Sequence, residues 1–346
     1  MHHRARSRRR RTAVVTLVLA PVAALVSLFA VPGSGQAAPA GSAYVALGDS
    51  YSSGEGNPPY LPPTDTHDDQ CHRSTTAYPE LLGHQGLFSV QPWNPNTDFV
   101  ACSGADTVSL RTGKSHEPSQ LDALGPATAT VTLSLGGNDL GFSDIAQACF
   151  HAGLYGNANC KTGKVDNPAG GPKTTRAQRE IWLTDHLDLH SLYQEIHTRA
   201  PQARIYALLY PHLIAMRGRA CSTGPGSYSA RNIIWFHDMV DYLDQHITSE
   251  AAIARSTGVD VRVVDPRPAF DNGHTLCSPA SWIHGVTFRT ADCTRASQGS
   301  ACFVRTFHPT PEGQQAFADA IRQAAGTNPT FNLASAREAV PPLPLT

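Results

Sequence analysis

Residues 43–56 read Ala43-Tyr44-Val45-Ala46-Leu47-Gly48-Asp49-Ser50-Tyr51-Ser52-Ser53-Gly54-Glu55-Gly56. The apolar run Ala43–Leu47 predicts a buried β-strand. Gly48 allows a sharp turn out of it, and Asp49-Ser50 offers an N-cap for a following helix. A serine hydroxyl at such a turn sits at a helix N-terminus, where backbone N–H groups favour developing negative charge. Taken alone, the same residues are also an ordinary helix cap.

Further strand-like runs occur at Phe99–Ala101, Thr130–Leu135, Arg204–Leu209 and Val259–Val264. Helical stretches lie between them. Leu183, Leu187, Leu192 and Ile196 recur at helical spacing within Arg176–Arg199, and a second helix is expected from about Ser229 to Arg255. A last one opens at Thr310 as N-cap with Pro311 in its first turn. Strands alternating with helices predict a single α/β domain built on a parallel sheet of about five strands, covered on both faces. Three irregular segments, Asn57–Asp69, Tyr155–Thr175 and Asn272–Ser300, are candidates for pocket walls, because ligands in such folds sit beyond the carboxyl ends of the strands.

The N-terminus has the layout of a secretory signal peptide. Six arginines at positions 4, 6, 8, 9, 10 and 11 precede an apolar stretch from Ala13 to Val31, and small residues follow to Ala40. Cleavage after Ala37 or Ala38 is expected, so residues 1–38 form the leader, by either the general or the twin-arginine route. Pro21 and Pro32-Gly33-Ser34-Gly35 argue against a membrane anchor. No later segment approaches the roughly 18 apolar residues of a span. The 346 residues carry 27 basic and 28 acidic side chains, a net charge of -1. Without the six leader arginines the balance is 21 against 28, or -7. An acidic protein is not a nucleic-acid binder and is not drawn to anionic lipid by charge.

Export changes how the cysteines read. Cys71, Cys102, Cys149, Cys160, Cys221, Cys277, Cys293 and Cys302 are even in number and suit disulfides outside the cell. Many connectivities are open. Sequential pairing (71–102, 149–160, 221–277, 293–302) is the simplest. No Cys-x-x-Cys spacing occurs to suggest a metal, and none is expected. Residues 327–346, ending Pro341-Pro342-Leu343-Pro344, are expected to be a poorly ordered tail.

Three more strand ends carry candidate chemistry. Cys102-Ser103-Gly104-Ala105 places a glycine N–H where a bound oxygen can approach. Gly136-Gly137-Asn138-Asp139 lets a carboxamide reach over the strand ends. Phe307-His308-Pro309 puts an imidazole directly before the final helix, as a general base towards Ser50. Each motif has a bland reading as a turn or a cap. Two decoys are Trp282-Ile283-His284, inside a cysteine-rich loop, and Gly113-Lys114-Ser115, where Val108 occupies the glycine position a phosphate loop requires. Ser52 likewise replaces the second glycine of the Gly-x-Ser-x-Gly elbow.

Serine, glycine, asparagine and histidine in this order, each at a strand end or helix start, resemble blocks I, II, III and V of the SGNH (GDSL) hydrolase superfamily. Ala43–Gly56, Cys71-His72-Arg73-Ser74, Phe99–Ala105 and Leu133–Phe142 are similar to extracellular lipases, esterases and phospholipases A1 of actinomycetes. The resemblance covers roughly residues 43–325 and implies a flavodoxin-like three-layer α/β/α fold over a domain of residues 39–326. It implies Ser50 as nucleophile, His308 as base, and Gly104 and Asn138 as oxyanion donors beside the Ser50 N–H. It also implies the first three disulfide pairs, with 293–302 an addition. Position 305, where the superfamily commonly has an orienting Asp, is Arg305, whose side chain accepts no hydrogen bond. The carbonyl of Arg305 or Thr306 is the expected substitute, with Asp265, Asp271 and Asp292 as alternatives.

The function so implied is a secreted carboxylic ester hydrolase acting on lipid or small esters, as a monomer without cofactor or stable membrane anchor. Carbohydrate acetylesterase or acyltransferase activity, or non-catalytic lipid or glycan binding on the same frame, are the alternatives.

Overall fold

The computed structural model describes residues 43–85, 88, 93–142, 145, 160–214, 221–222, 227–228, 230–285 and 306–326. The chain divides into two units, 1–37 and 38–346. The first lies outside the described residues, as does the tail from 327; the described residues all belong to the second.

A four-stranded parallel sheet forms the core. Strands β1 (Tyr44–Ala46), β2 (Thr130–Leu133), β5 (Arg204–Leu208) and β8 (Val261–Val264) lie in the order β1-β2-β5-β8. Tyr44 pairs with Thr130, Thr130 with Arg204, and Ile205 with Val261. Every residue of β1 and β2 is buried, as expected of strands covered on both faces. Two short antiparallel ribbons stand apart: β3 (Lys164–Val165) with β4 (Thr174–Thr175), and β6 (Cys221–Ser222) with β7 (Ser227–Tyr228).

The expected fifth strand is reduced to a bridge between Phe99 and Ala46. Val100 and Ala101 both donate their N–H to the one carbonyl of Ala46. With two donors spent on one acceptor, the ladder does not propagate.

The helices are α1 (Ser50–Ser53), α2 (Tyr78–His84), α3 (Pro95–Asp98), α4 (Thr107–Thr112), α5 (Arg176–Asp185), α6 (Leu189–Arg199), α7 (Ala230–Ser256), α8 (Arg267–Asp271) and α9 (Pro311–Ala325). Helices α5, α6 and α7 pack together as one group, and α2, α8 and α9 as another. The two groups flank the sheet, giving the three-layer α/β/α architecture. The single helix expected over Arg176–Arg199 is two. Asp188 caps α6 by accepting from Ser191 N, and Glu250 of α7 accepts from Leu189 N and His190 N. Carboxylates that satisfy a new set of N-terminal donors start a new helix there. Helix α9 begins as expected, with Thr310 accepting from Gly313 N and Pro311 in the first turn.

Cys71 and Cys102 form a disulfide. Cys160 and Cys277 are disulfide-bonded as well. Cys149, the expected partner of Cys160, and the 293–302 pair lie outside the described residues, as does the side chain of Cys221, the expected partner of Cys277.

Candidate active site

Ser50 is the first residue of α1, directly beyond the end of β1. Asp49 caps the helix, its Oδ1 accepting from Tyr51 N at 3.0 Å. The turn needs glycine at 48. Its φ is +122°, and a Cβ there would stand 2.6 Å from both Ser134 O and Ser52 Oγ. Gln120 fixes both peptide groups of Gly48, accepting from Gly48 N at 2.7 Å and donating to Gly48 O at 2.9 Å. Ser52, at the position of the missing elbow glycine, bonds Ser134 Oγ at 2.8 Å and Tyr78 OH at 2.9 Å. Its hydroxyl replaces conformational freedom with a buried tether.

His308 reaches the same point from the far end of the chain. Its Nε2 lies 2.8 Å from Ser50 Oγ. The segment that carries it is held on two sides. Tyr51 OH donates to Phe307 O at 2.8 Å, and Asn57 Nδ2 to Pro309 O at 2.8 Å. On the other side, His284 N donates to His308 O and Phe307 N to His284 O. The decoy His284 is therefore a neighbour of His308 through the backbone. Phe307 is held at a φ of +67°, an unusual conformation for an aromatic residue, and these flanking bonds support it.

Gly104 and Asn138 are brought together by a latch. Gly104 turns at a φ of +73° just before α4. Asn138 Nδ2 donates to Ala105 O at 2.8 Å, which uses one of its two amide N–H groups. Next to it, Asp139 accepts from Thr107 N and, at 2.5 Å, from Thr107 Oγ1. Lys114 covers the Gly104 turn: its Cε lies 3.1 Å from where a Cβ on Gly104 would be.

Beneath the site, buried Asp49 joins three strand ends. It accepts from Ser134 Oγ at 2.6 Å and from Tyr210 OH at 2.5 Å, while the Tyr210 oxygen accepts from Gly137 N at 3.0 Å. Burial pushes the Asp49 carboxyl up to about 6, against the pull of these hydrogen bonds. Burial and the Asp49 charge hold the Tyr210 phenol well above its usual range. Glu55, also buried, accepts from His72 Nδ1 and from Tyr60 OH.

Arg305 and Asp292 lie outside the described residues. Of the alternative acids, Asp271 is bonded to His212 and Asp265 to Arg267. Motif reading did not single out Tyr51, Asn57, Gln120 or Tyr210, which position the site from a distance. Tyr210 does have a signal, since it directly follows the fourth apolar run.

The arrangement is a hydroxyl hydrogen-bonded to an imidazole, beside a glycine turn and a carboxamide, all beyond the carboxyl ends of parallel strands. Residues 46–316 match the model of the GDSL-like Lipase/Acylhydrolase family. The chain is 31% identical to Lipase 1 of Streptomyces coelicolor over 300 residues, covering 86% of this chain and 91% of that one. It is 30% identical to a lipase of Streptomyces rimosus, covering 78% and 82%. Among solved structures it resembles the extracellular lipase of S. rimosus, with a TM-score of 0.60 and 27% identity over 81% of this chain and 98% of that one. A phospholipase A1 from Streptomyces albidoflavus gives 0.59 and 27% over 82% and 100%. On the family match and the length of these alignments, the chain belongs to the GDSL-like lipase/acylhydrolase family.

Proposed function

We propose that the chain hydrolyses carboxylic esters of lipids through an acyl-enzyme on Ser50. The 2.8 Å hydrogen bond between Ser50 Oγ and His308 Nε2 carries this reading, since a serine hydroxyl becomes a nucleophile when an adjacent base takes its proton. Ser50 Oγ attacks the acyl carbon while its proton passes to His308 Nε2. The tetrahedral oxyanion accepts from the N–H groups of Ser50 and Gly104 and from Asn138 Nδ2, each donor contributing about 3 kcal/mol. Collapse breaks the ester C–O bond, and His308 returns the proton to the departing alkoxide. Water then attacks the acyl-enzyme, giving its proton to His308, and the carboxylic acid leaves as Ser50 is reprotonated.

The carbonyl of Arg305 or Thr306 takes the place of the family's Asp in fixing the His308 tautomer. This assignment is supported by the engagement of Asp265 and Asp271 elsewhere. Lack of an orienting carboxylate weakens but does not abolish such catalysis, because the oxyanion donors still act.

Ser50→Ala in folded protein is expected to abolish p-nitrophenyl ester hydrolysis. An organophosphonate is expected to label Ser50 one to one. Full turnover in the variant overturns the nucleophile, and an unlabelled, folded wild type favours a binding protein. Asn138→Ala should lower kcat by about 100-fold or more with little change in KM.

For the substrate, phospholipid hydrolysis in the manner of a phospholipase A1 is favoured by Lys114, whose ammonium beside the Gly104 turn suits a phosphodiester. Comparing phosphatidylglycerol, triacylglycerol and acetylated xylan in wild type and Lys114→Ala separates phospholipase, lipase and carbohydrate esterase. A selective loss on phosphatidylglycerol is the expected result.

Secretion is part of the same reading. The arginines of residues 4–11, the apolar run 13–31 and the division at 37/38 support a leader of residues 1–38, a catalytic domain of 39–326 and a tail of 327–346. N-terminal sequencing of protein from the medium should begin after Ala37 or Ala38.

A further inference from the structure

A second cluster of titratable groups stands where the loop after β5 meets α7 and α8. His212, two residues beyond Tyr210, has a side chain only 9% exposed. Its Nδ1 is 2.9 Å from Asp271 Oδ2 at the end of α8, and its Nε2 is 3.0 Å from Asp241 Oδ1 on α7. One turn earlier on α7, His237 stacks on His212 with ring centroids 3.7 Å apart. His237 Nδ1 lies 3.2 Å from Asp241 Oδ2, but has no hydrogen-bond partner among the described residues.

A neutral imidazole donates from only one of its nitrogens. With Asp271 accepting at Nδ1, Nε2 of a neutral His212 turns a lone pair towards the Asp241 carboxylate. The His237 nitrogen faces the same carboxylate without a hydrogen bond. Two imidazole nitrogens and a carboxylate oxygen all lie within 4.8 Å of one another. We propose that His212, His237 and Asp241 form a site for a divalent transition-metal ion such as Zn2+, with Asp271 orienting His212 from behind.

The donor set is that of zinc, and a carboxylate on the far nitrogen is the usual support for a metal-ligating histidine. His237 and Asp241 share one helix face at i and i+4. The pattern His-x-x-x-His does not find them, because the second helix ligand is an aspartate and the third comes from a distant loop.

Arg267 is the one cation that faces the cluster among the described residues. It pairs with Asp241 Oδ1 at 3.1 Å, Asp265 at 2.8 Å and Asp244 at 3.4 Å. Burial holds the Asp244 carboxyl well above its usual range, so the charge count rests on Asp241, Asp265 and Asp271, which still outnumber the one arginine and leave negative charge for the ion to neutralise. Arg267 keeps Oδ1 and the ion takes Oδ2. Asp241 and Asp271 are 36% and 42% exposed, so the ion enters from solvent. Binding rotates the two rings out of their stack until both nitrogens converge on the metal at about 2.0–2.1 Å. The bound ion staples the loop after Tyr210 to α7 and α8.

The purified protein, stripped with a chelator and dialysed, is titrated with Zn2+ by calorimetry, and its melting temperature is followed in parallel. Wild type should bind one equivalent and melt several degrees higher at saturation. His237→Gln and Asp241→Asn, each checked for folding by circular dichroism, should weaken binding by more than the roughly 10–100-fold that loss of an outer partner brings. The absence of saturable binding to folded wild type overturns the site. Unchanged affinity in either folded variant does so equally; in that case His212 simply bridges two carboxylates as an imidazolium.

Discussion

The Tyr210 hydroxyl donates to Asp49 Oδ2 at 2.5 Å across 161 residues of sequence. The same oxygen accepts from Gly137 N, so one phenol ties the turn that carries Ser50 to the turn that carries Asn138. Tyr210→Phe keeps the ring, which packs edge-on against Tyr51 at 5.1 Å, and removes both bonds. Leaving two buried groups unsatisfied costs about 1–3 kcal/mol each. The expected variant melts several degrees lower and loses about tenfold or more in kcat on a soluble ester, with KM little changed. A fully active variant would remove Tyr210 from the positioning of the site.

Asp49 also gives the protein a pH signature of known sign. Burial raises its pKa from 3.8 to about 6. Between those values the folded protein holds a proton that the unfolded chain has released. Stability from this group is therefore greatest below about pH 4 and falls as pH rises to about 6, by about 3 kcal/mol, then levels off. Asp49→Asn does not titrate. The difference in unfolding free energy between wild type and this variant, measured by denaturant melts from pH 4 to 7, should drift against the wild type through that window. A difference that is flat with pH defeats the assignment.

The Cys71–Cys102 disulfide acts at the site as well as on the unfolded chain. Ser103 N donates to Cys71 O at 3.0 Å, next to Gly104. In the neighbouring segment, Arg73 pairs with Glu117 and reaches Ala101 O. Cross-linking residues 31 apart stabilises by about 3–4 kcal/mol in the loop-entropy view. Replacing both cysteines by alanine should lower the melting temperature by roughly 5–10 °C and reduce kcat through a looser Gly104 turn. Calorimetry and steady-state kinetics on the double variant check both effects. Loss of stability with kcat intact would confine the bond to a structural role.

What could be read from the sequence was what is local. The strand, glycine turn and cap at residues 43–53 declare themselves because their partners are neighbours in the chain. His308 is visible because Thr310 and Pro311 mark the helix start two residues on. The break between α5 and α6 was hidden: the leucine spacing runs through it, while Glu250, which caps α6, lies about sixty residues away. Gln120 and Tyr210 hold the Ser50 turn with side chains that belong to no motif. His284 looked like a rival to His308, and only its backbone pairing reveals it as a support.

Apolar contact with a lipid surface has a candidate close to the site. Val108 on α4 is 64% exposed, four residues past Gly104 and next to Thr107, which Asp139 latches. Without residues 1–38 the chain carries a net charge of -7, so anionic interfaces repel it and adsorption must come from apolar surface. A single valine contributes little affinity in water, but beside the Gly104 turn it is placed to set which face meets a lipid. Val108→Asp adds charge where apolar contact is needed and leaves the Ser50–His308 pair untouched. Hydrolysis of a short, soluble ester should stay near wild type, while turnover on phosphatidylglycerol vesicles or triacylglycerol emulsions drops severalfold and vesicle co-sedimentation weakens. Equal losses on soluble and aggregated substrates would instead mean that the substitution disturbs α4 and the Gly104 turn, and the lipid-facing surface would have to be sought elsewhere.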